Sequence, residues 1–377
     1  MTDRHNVAFV LLSAVLSGAE KRFVRMFVDP EARRFNAHLI LNASLFAQVK
    51  ANPEFADKIA RPTKIRCIHV IPERRLLNKR FLSYLRLLLA LPAIRKVVKA
   101  QQISVCHVPV CLELAGMIGM LGVPVVFEIT SPDIACKCSS RSKTLFARYI
   151  SKAVAVSPSV RKAVESSNTG SQMWSRKIIT APTAFYREQN LNATSYLREK
   201  DRLVVFACRL IERKNPVLFA RCAKAFLAKF PEWKVAILGD GPQKSEICSI
   251  LRSEIDKNQV IAKRVSAMDA YLQRCLIFVS IIQQDNYPSQ SVLEAMDYES
   301  TLVLSDRGDS CRFIYNGNGR LVELDEESVA LALCDLASDF ATSQRRGRES
   351  KACLAARFSP ETYFNHLQEL YSSMSSN

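Results

Sequence analysis

The sequence predicts an α/β protein built from two doubly wound domains, and three observations point there. Along the first half, short apolar runs alternate with helical patterns, as a parallel sheet covered on both faces requires. From Cys275 to Asp297 the chain reads C-L-I-F-V-S-I-I-Q-Q-D-N-Y-P-S-Q-S-V-L-E-A-M-D, a buried strand, a polar turn and a helix start. Between them, Pro182 to Lys200 is polar and lacks steady periodicity, which marks a break between domains. A chain of 377 residues is also long for a single core.

In the first half the predicted strands are Val7–Val15, Ala37–Leu41, Ile65–Ile71, Ile103–Val108, Val123–Ile129, Ala153–Val156 and Lys177–Ala181. The turn L-S-G-A-E-K-R puts Gly18 where a strand gives way to a helix, a place where a bare backbone can approach a ligand. Arg74 to Lys99 predicts a basic, apolar helix that Pro92 ends or kinks. Such a helix covers a sheet or lies on an anionic membrane surface. At the end of V-P-V-V-F-E-I-T-S-P-D, Glu128 and Asp133 are the acidic side chains near a strand's carboxyl end. His69 and His107 sit within apolar runs and read as packing residues, and Ser157 reads as a helix N-cap.

The second half opens on a strand, Leu203–Ala207, followed by Arg209 and, five residues on, Lys214 at a helix start. Arginine forks onto phosphate oxygens and lysine adds a point charge, so the pair suits a diphosphate. In L-G-D-G-P, Gly239 and Gly241 read as a tight structural turn. The stretch around Pro288 then places free N–H groups of Ser289, Gln290 and Ser291 at a helix start, where an anion is favoured. Glu294, about one turn further in, is placed to accept from hydroxyls attached to that anion. A strand at Thr301–Ser305, glycines Gly317 and Gly319, and three helical segments close the chain, the last over Ser359–Ser373.

The segments N-Y-P-S-Q-S-V-L-E-A-M, S-D-R-G-D and N-G-N-G-R-L-V, with the Arg209/Lys214 pair, resemble the donor-binding region of retaining glycosyltransferases of the GT-B fold, family four. The resemblance implies two Rossmann-like domains facing a cleft. It divides the chain into an acceptor-binding domain (1–185), a linker (186–200), a nucleotide-sugar domain (201–358) and a C-terminal helix (359–377) crossing back to the first. It implies donor contacts from Gly18, Arg209, Lys214, Ser289, Gln290, Ser291 and Glu294. Glu294 matches the family's second glutamate, which holds the ribose. Asn286 stands where the first lies beside the sugar, and no histidine occurs near Thr130, where many members carry one. Asn286 and Glu128 are the candidate catalytic residues.

The expected activity is transfer of a sugar from a nucleotide-diphosphate sugar to a hydroxyl of a polysaccharide or lipid-linked glycan. A sugar-nucleotide epimerase or a non-catalytic sugar-nucleotide-binding subunit is the alternative. With no D-x-D motif, no metal or other cofactor is expected.

Charge and composition bound the rest. Residues 1–200 hold 31 Lys and Arg against 13 Asp and Glu, and the totals of 53 and 36 leave 22 against 23 for the remainder. The excess of +17 therefore belongs to the first half, which should meet an anionic acceptor or an anionic membrane surface. No aromatic-interleaved basic module argues for nucleic acid. Twelve scattered cysteines without a C-x-x-C pair argue against zinc and a disulfide scaffold, and the N-terminus lacks signal-peptide features. The expected location is cytoplasmic, peripheral on the inner face of the membrane.

Overall fold

The computed structural model describes residues 4–16, 18–59, 66–72, 81–109, 111–131, 134–135, 138, 144–166, 171–181, 183–186, 199–265, 268–285 and 287–375. The chain divides into two compact units, Met1–Glu188 with Pro360–Asn377, and Gln189–Ser359. Thirteen strands are described: β1 Asn6–Leu11, β2 Asn36–Asn42, β3 Arg66–Ile71, β4 Val105–Pro109, β5 Val125–Ile129, β6 Lys152–Ala155, β7 Ile178–Thr180, β8 Asp201–Ala207, β9 Lys234–Leu238, β10 Val260–Lys263, β11 Cys275–Ser280, β12 Thr301–Ser305 and β13 Gly319–Val322. The described helices of eight residues or more are α1 Gly18–Val28, α2 Ala43–Ala51, α3 Phe81–Ala100, α4 Leu112–Gly119, α5 Pro158–Glu165, α6 Pro216–Lys229, α7 Gln290–Asp297, α8 Glu326–Ser338, α9 Phe340–Arg357 and α10 Pro360–Ser375.

In the first unit the strands form one parallel sheet in the order β3-β2-β1-β4-β5-β6-β7. Alternate residues feed opposite layers, because side chains along a strand alternate faces. Ala8, Val10, Ile40 and Val108 join Ile94 and Ile118 on one face, while Val7, Phe9, Leu39 and Leu41 join Phe23, Phe364 and Leu367 on the other. The second layer includes α10, so the last helix of the chain is part of the first unit's core. The second unit has its own parallel sheet, β10-β9-β8-β11-β12-β13, with Phe219, Phe226, Trp233 and Leu333 in its core. Each strand order reverses once, between β1 and β4 and between β8 and β11. Those reversals are the switch points where open parallel sheets leave a crevice at the strands' carboxyl ends.

Four details differ from the sequence reading. The first strand ends at Leu11 rather than Val15, and Val15 is exposed in the loop that follows. Strands β9 and β10 add two members to the second sheet. Helix α3 continues through Pro92 to Ala100 instead of ending there; its first seven expected residues, Arg74 to Arg80, lie outside the described set. Its outer surface is apolar as well as basic, with Tyr84, Leu85, Leu88 and Leu89 each 39–50% exposed. Most of the linker 186–200 also lies outside the described residues. No helix among the described residues is long and apolar enough to cross a membrane.

Candidate active site

The second unit's switch point is built by two braced loops. After β8 the chain passes half-buried Cys208 and exposed Arg209, then turns at Leu210. Leu210 N–H donates to the Asp240 carbonyl (2.9 Å), and its own carbonyl accepts from Gln243 N–H (3.2 Å). This joins the loop to L-G-D-G-P after β9. The approach is close enough that a Cβ on Gly239 would lie 1.9 Å from the Cys208 carbonyl oxygen, so a glycine is required. The loop then makes a 3₁₀ turn, Glu212–Lys214, and Asn215 adopts the left-handed region (φ 50°) before Pro216 opens α6.

Asn215 reaches across the switch point. Its side-chain amide donates to the Ile281 carbonyl (3.4 Å) and accepts from Gln283 Nε2 (3.2 Å), while Gln283 N–H donates to the Arg213 carbonyl (3.0 Å). On the far side, Ser305 Oγ accepts from Ile282 N–H and donates to the Ile282 carbonyl, both at 2.9 Å. The loop after β11 is thus fixed from both neighbouring strands. It continues through Asp285, whose carboxylate accepts from Tyr287 N–H (2.9 Å), and the Tyr287 ring packs on Phe313 and Phe358.

Helix α7 starts where this loop ends. Ser289 occupies the N-cap position in extended geometry, but its side chain makes no cap bond; its Oγ lies 3.1 Å from Ser291 Oγ instead. The opening N–H groups, which have no partner within a helix, are therefore not met by a capping side chain. Val292, Leu293, Ala295 and Met296 pack into the core, leaving Gln290, Ser291 and Glu294 as the half-buried stripe of the helix.

Electrostatics at this end of the sheet favour an anion. Burial, helped by the Arg213 and Arg209 charges, pushes the Lys214 ammonium down to about 8, against a smaller upward pull from Cys208. Arg209 and Lys214 follow β8, and Ser289, Gln290, Ser291 and Glu294 follow β11, so all six lie on segments leaving the carboxyl ends of the two strands that flank the switch point. Gly18 lies in the other unit, as the first residue of α1, on the loop that leaves the carboxyl end of β1. Gln48 of α2 holds that loop, accepting from Leu16 N–H (3.0 Å) and donating to the Ala14 carbonyl (2.8 Å).

Two expected residues fare differently. Asn286 lies outside the described residues, as does Asp133. Glu128 does not open onto a crevice: it is fully buried and ion-paired with Arg22, with Tyr363 donating to it at 2.9 Å. Its place on the inner face of a central strand, under α10, is the reason. His107, expected as a packing residue, is buried but belongs to this polar cluster. Ser157 caps α5 as expected, accepting from Val160 N–H at 3.3 Å. The bracing residues Asn215, Gln283 and Ser305 were not singled out from sequence; the Asn-Pro pair at 215–216 was the one available turn signal.

Residues 201–339 match the family described as "Glycosyl transferases group 1". The match falls within the second unit, and the chain has the GT-B fold. Among solved structures, HepE from Anabaena, in complex with UDP and glucose, is 15% identical, with 98% of this chain and 100% of that chain covered and a TM-score of 0.70. A glycosyltransferase from Rickettsia africae is 12% identical over the full length of both chains, with a TM-score of 0.72. Sucrose-phosphate synthase from Thermosynechococcus elongatus is 14% identical over 99% of this chain and 100% of that one, with a TM-score of 0.69. No curated protein matches the sequence.

Proposed function

We propose that this chain is a group 1 glycosyltransferase, a retaining enzyme that moves a sugar from a nucleotide-diphosphate sugar to a hydroxyl of a polysaccharide or lipid-linked glycan. The observation that carries the reading is the second sheet's switch point, where the segments after two adjacent strands carry two cations, a helix start without a side-chain cap and a half-buried glutamate. Arg209 and Lys214 would hold the diphosphate and stabilise it as it leaves. The N–H groups at Ser289, Gln290 and Ser291 add to that field. Glu294 would accept from the two ribose hydroxyls. Cationic side chains and backbone dipoles take the role a metal has in other transferases, so the reaction is proposed to be metal-independent. HepE was solved with UDP-glucose, and a uridine diphosphohexose is the donor class to try first.

Asn286 would hydrogen-bond a sugar hydroxyl without adding charge. That same amide, in place of a carboxylate, favours a second reading, a sugar-nucleotide epimerase or non-catalytic binding subunit. A nucleotide-sugar panel read by thermal shift, with mass-spectrometric detection of products, separates them. Nucleoside diphosphate released with an acceptor supports transfer, an epimerised donor supports the isomerase, and donor binding without either supports the binding subunit. Absence of any donor-induced shift would refute both readings.

Peripheral membrane association through α3 is part of the proposal. Leu85, Leu88 and Leu89 supply apolar area to enter the headgroup layer, and Arg95, Lys96 and Lys99 on the same helix supply charge for an anionic leaflet.

A further inference from the structure

The buried polar cluster of the first unit has no part in the proposed chemistry, yet its charges are costly to enclose. Arg22 and Glu128 pair where solvent does not reach, and a buried carboxylate needs its remaining lone pairs met. Tyr363 donates to Glu128 Oε2 at 2.9 Å, and His107 Nε2 stands 3.3 Å from the same oxygen. His107 Nδ1 lies 2.6 Å from the Tyr371 hydroxyl. Burial, with the Arg22 charge second, pushes His107 down to about 3, so the ring is neutral and carries one N–H. Nε2 stands beside Glu128 without the geometry of a hydrogen bond, so the histidine's one hydrogen bond in the cluster is the Nδ1 contact with the Tyr371 hydroxyl.

Four elements meet here: α1 through Arg22, β4 through His107, β5 through Glu128, and α10 through two tyrosines about two turns apart. Arg22 is four residues beyond Gly18, so the ion pair grips α1 one turn from its start. We propose that Arg22 and Glu128 are a positioning pair that fixes the first turn of α1, and that the C-terminal helix completes the pair through Tyr363 and Tyr371. Seating of the last helix is thereby coupled to the geometry of the glycine turn at the end of β1. The consequence for turnover rests on the reading of that turn as donor-facing; the coupling itself does not.

The test uses the full-length chain and amide hydrogen exchange of peptides from α1 and α10, with calorimetric binding of UDP alongside. Tyr363→Phe deletes one hydroxyl from α10; protection in α1 is expected to fall about tenfold, as for loss of a charged hydrogen bond. Leu367→Ala opens a cavity in α10 away from the carboxylate and should loosen α10 while sparing α1. Arg22→Lys keeps a cation and should largely retain α1 protection, whereas Arg22→Met should lose it. Unchanged α1 protection in Tyr363→Phe, an equal loss in Leu367→Ala, or no rescue by lysine would each overturn the proposal. UDP binding to the wild type tests the donor-site reading separately from the exchange. If the wild type itself does not bind UDP, the donor-site reading fails and the exchange result still stands.

Discussion

Lys214 gives the candidate site a pH signature. Its ammonium is pushed down to about 8 in the free protein, and the charged form is the one a diphosphate prefers. Donor affinity should therefore be level below pH 8 and fall as pH rises beyond it, by up to about tenfold per unit. Stability of the ligand-free chain should move the other way. Lysine's ordinary value of 10.5 lies above the folded one, so the unfolded chain binds more protons between about pH 8 and 10.5, and stability rises with pH there. Comparing wild type with Lys214→Met by calorimetry and melting isolates both effects; a pH-independent difference would remove Lys214 from the site. Arg209→Ala and Lys214→Ala should each weaken donor binding by about 1.5–3 kcal/mol. Glu294→Gln should weaken it less than Glu294→Ala, with little change in melting temperature, and a 2′-deoxy or 3′-deoxy donor should lose less on mutation. An alanine variant that binds like wild type would refute the ribose role. At this scale charge and spacing read correctly where Arg209, Lys214 and Glu294 stand, after β8 and on α7, and their roles belong to the proposal. The sequence was not readable at Glu128, because strand position alone does not say which layer a side chain enters.

Among the elements, α3 carries the clearest test. Its exposed leucines predict that Leu88→Asp or Leu89→Asp lowers flotation with anionic liposomes far more than Lys96→Gln does, since a charge in the apolar layer also blocks insertion. Equal binding of wild type to neutral and anionic vesicles would contradict the electrostatic half of the idea. Most strands of both sheets were legible as short β-branched runs, including β8, β11 and β12, because parallel strands buried on both faces leave that mark. β10 left little, since V-I-A-K is short and only its first residue is buried. Of the two effects expected at Pro92, an end or a kink, the end does not occur, because the surrounding leucines and valines packed against the sheet outweigh the local break.

For the whole molecule, the division into two units was visible as the polar stretch before Lys200, whereas the membership of the last helix came only from the resemblance. Nothing in P-E-T-Y-F-N-H-L-Q-E-L-Y says which sheet its aromatic face will cover. The structure makes the cost of losing it specific. Ending the chain at Ser359 removes Tyr363, Phe364, Leu367 and Tyr371 from the first unit's core and leaves Glu128 and His107 without their tyrosine partners. The truncated protein should lose cooperative melting of the first unit while the second still melts as a unit. Two intact transitions after truncation would show that α10 is dispensable.

His5 Nε2 lies 3.1 Å from Ser372 Oγ, so the approach to β1 and helix α10 meet in the same unit. This has a consequence for synthesis on the ribosome. The first unit's strands emerge before the second unit, and the α10 layer of their core follows only after residues 189–359. At ~5–20 residues per second that delay is roughly 10–30 s, long compared with the folding of a domain this size. The unit translated first is therefore the one completed last.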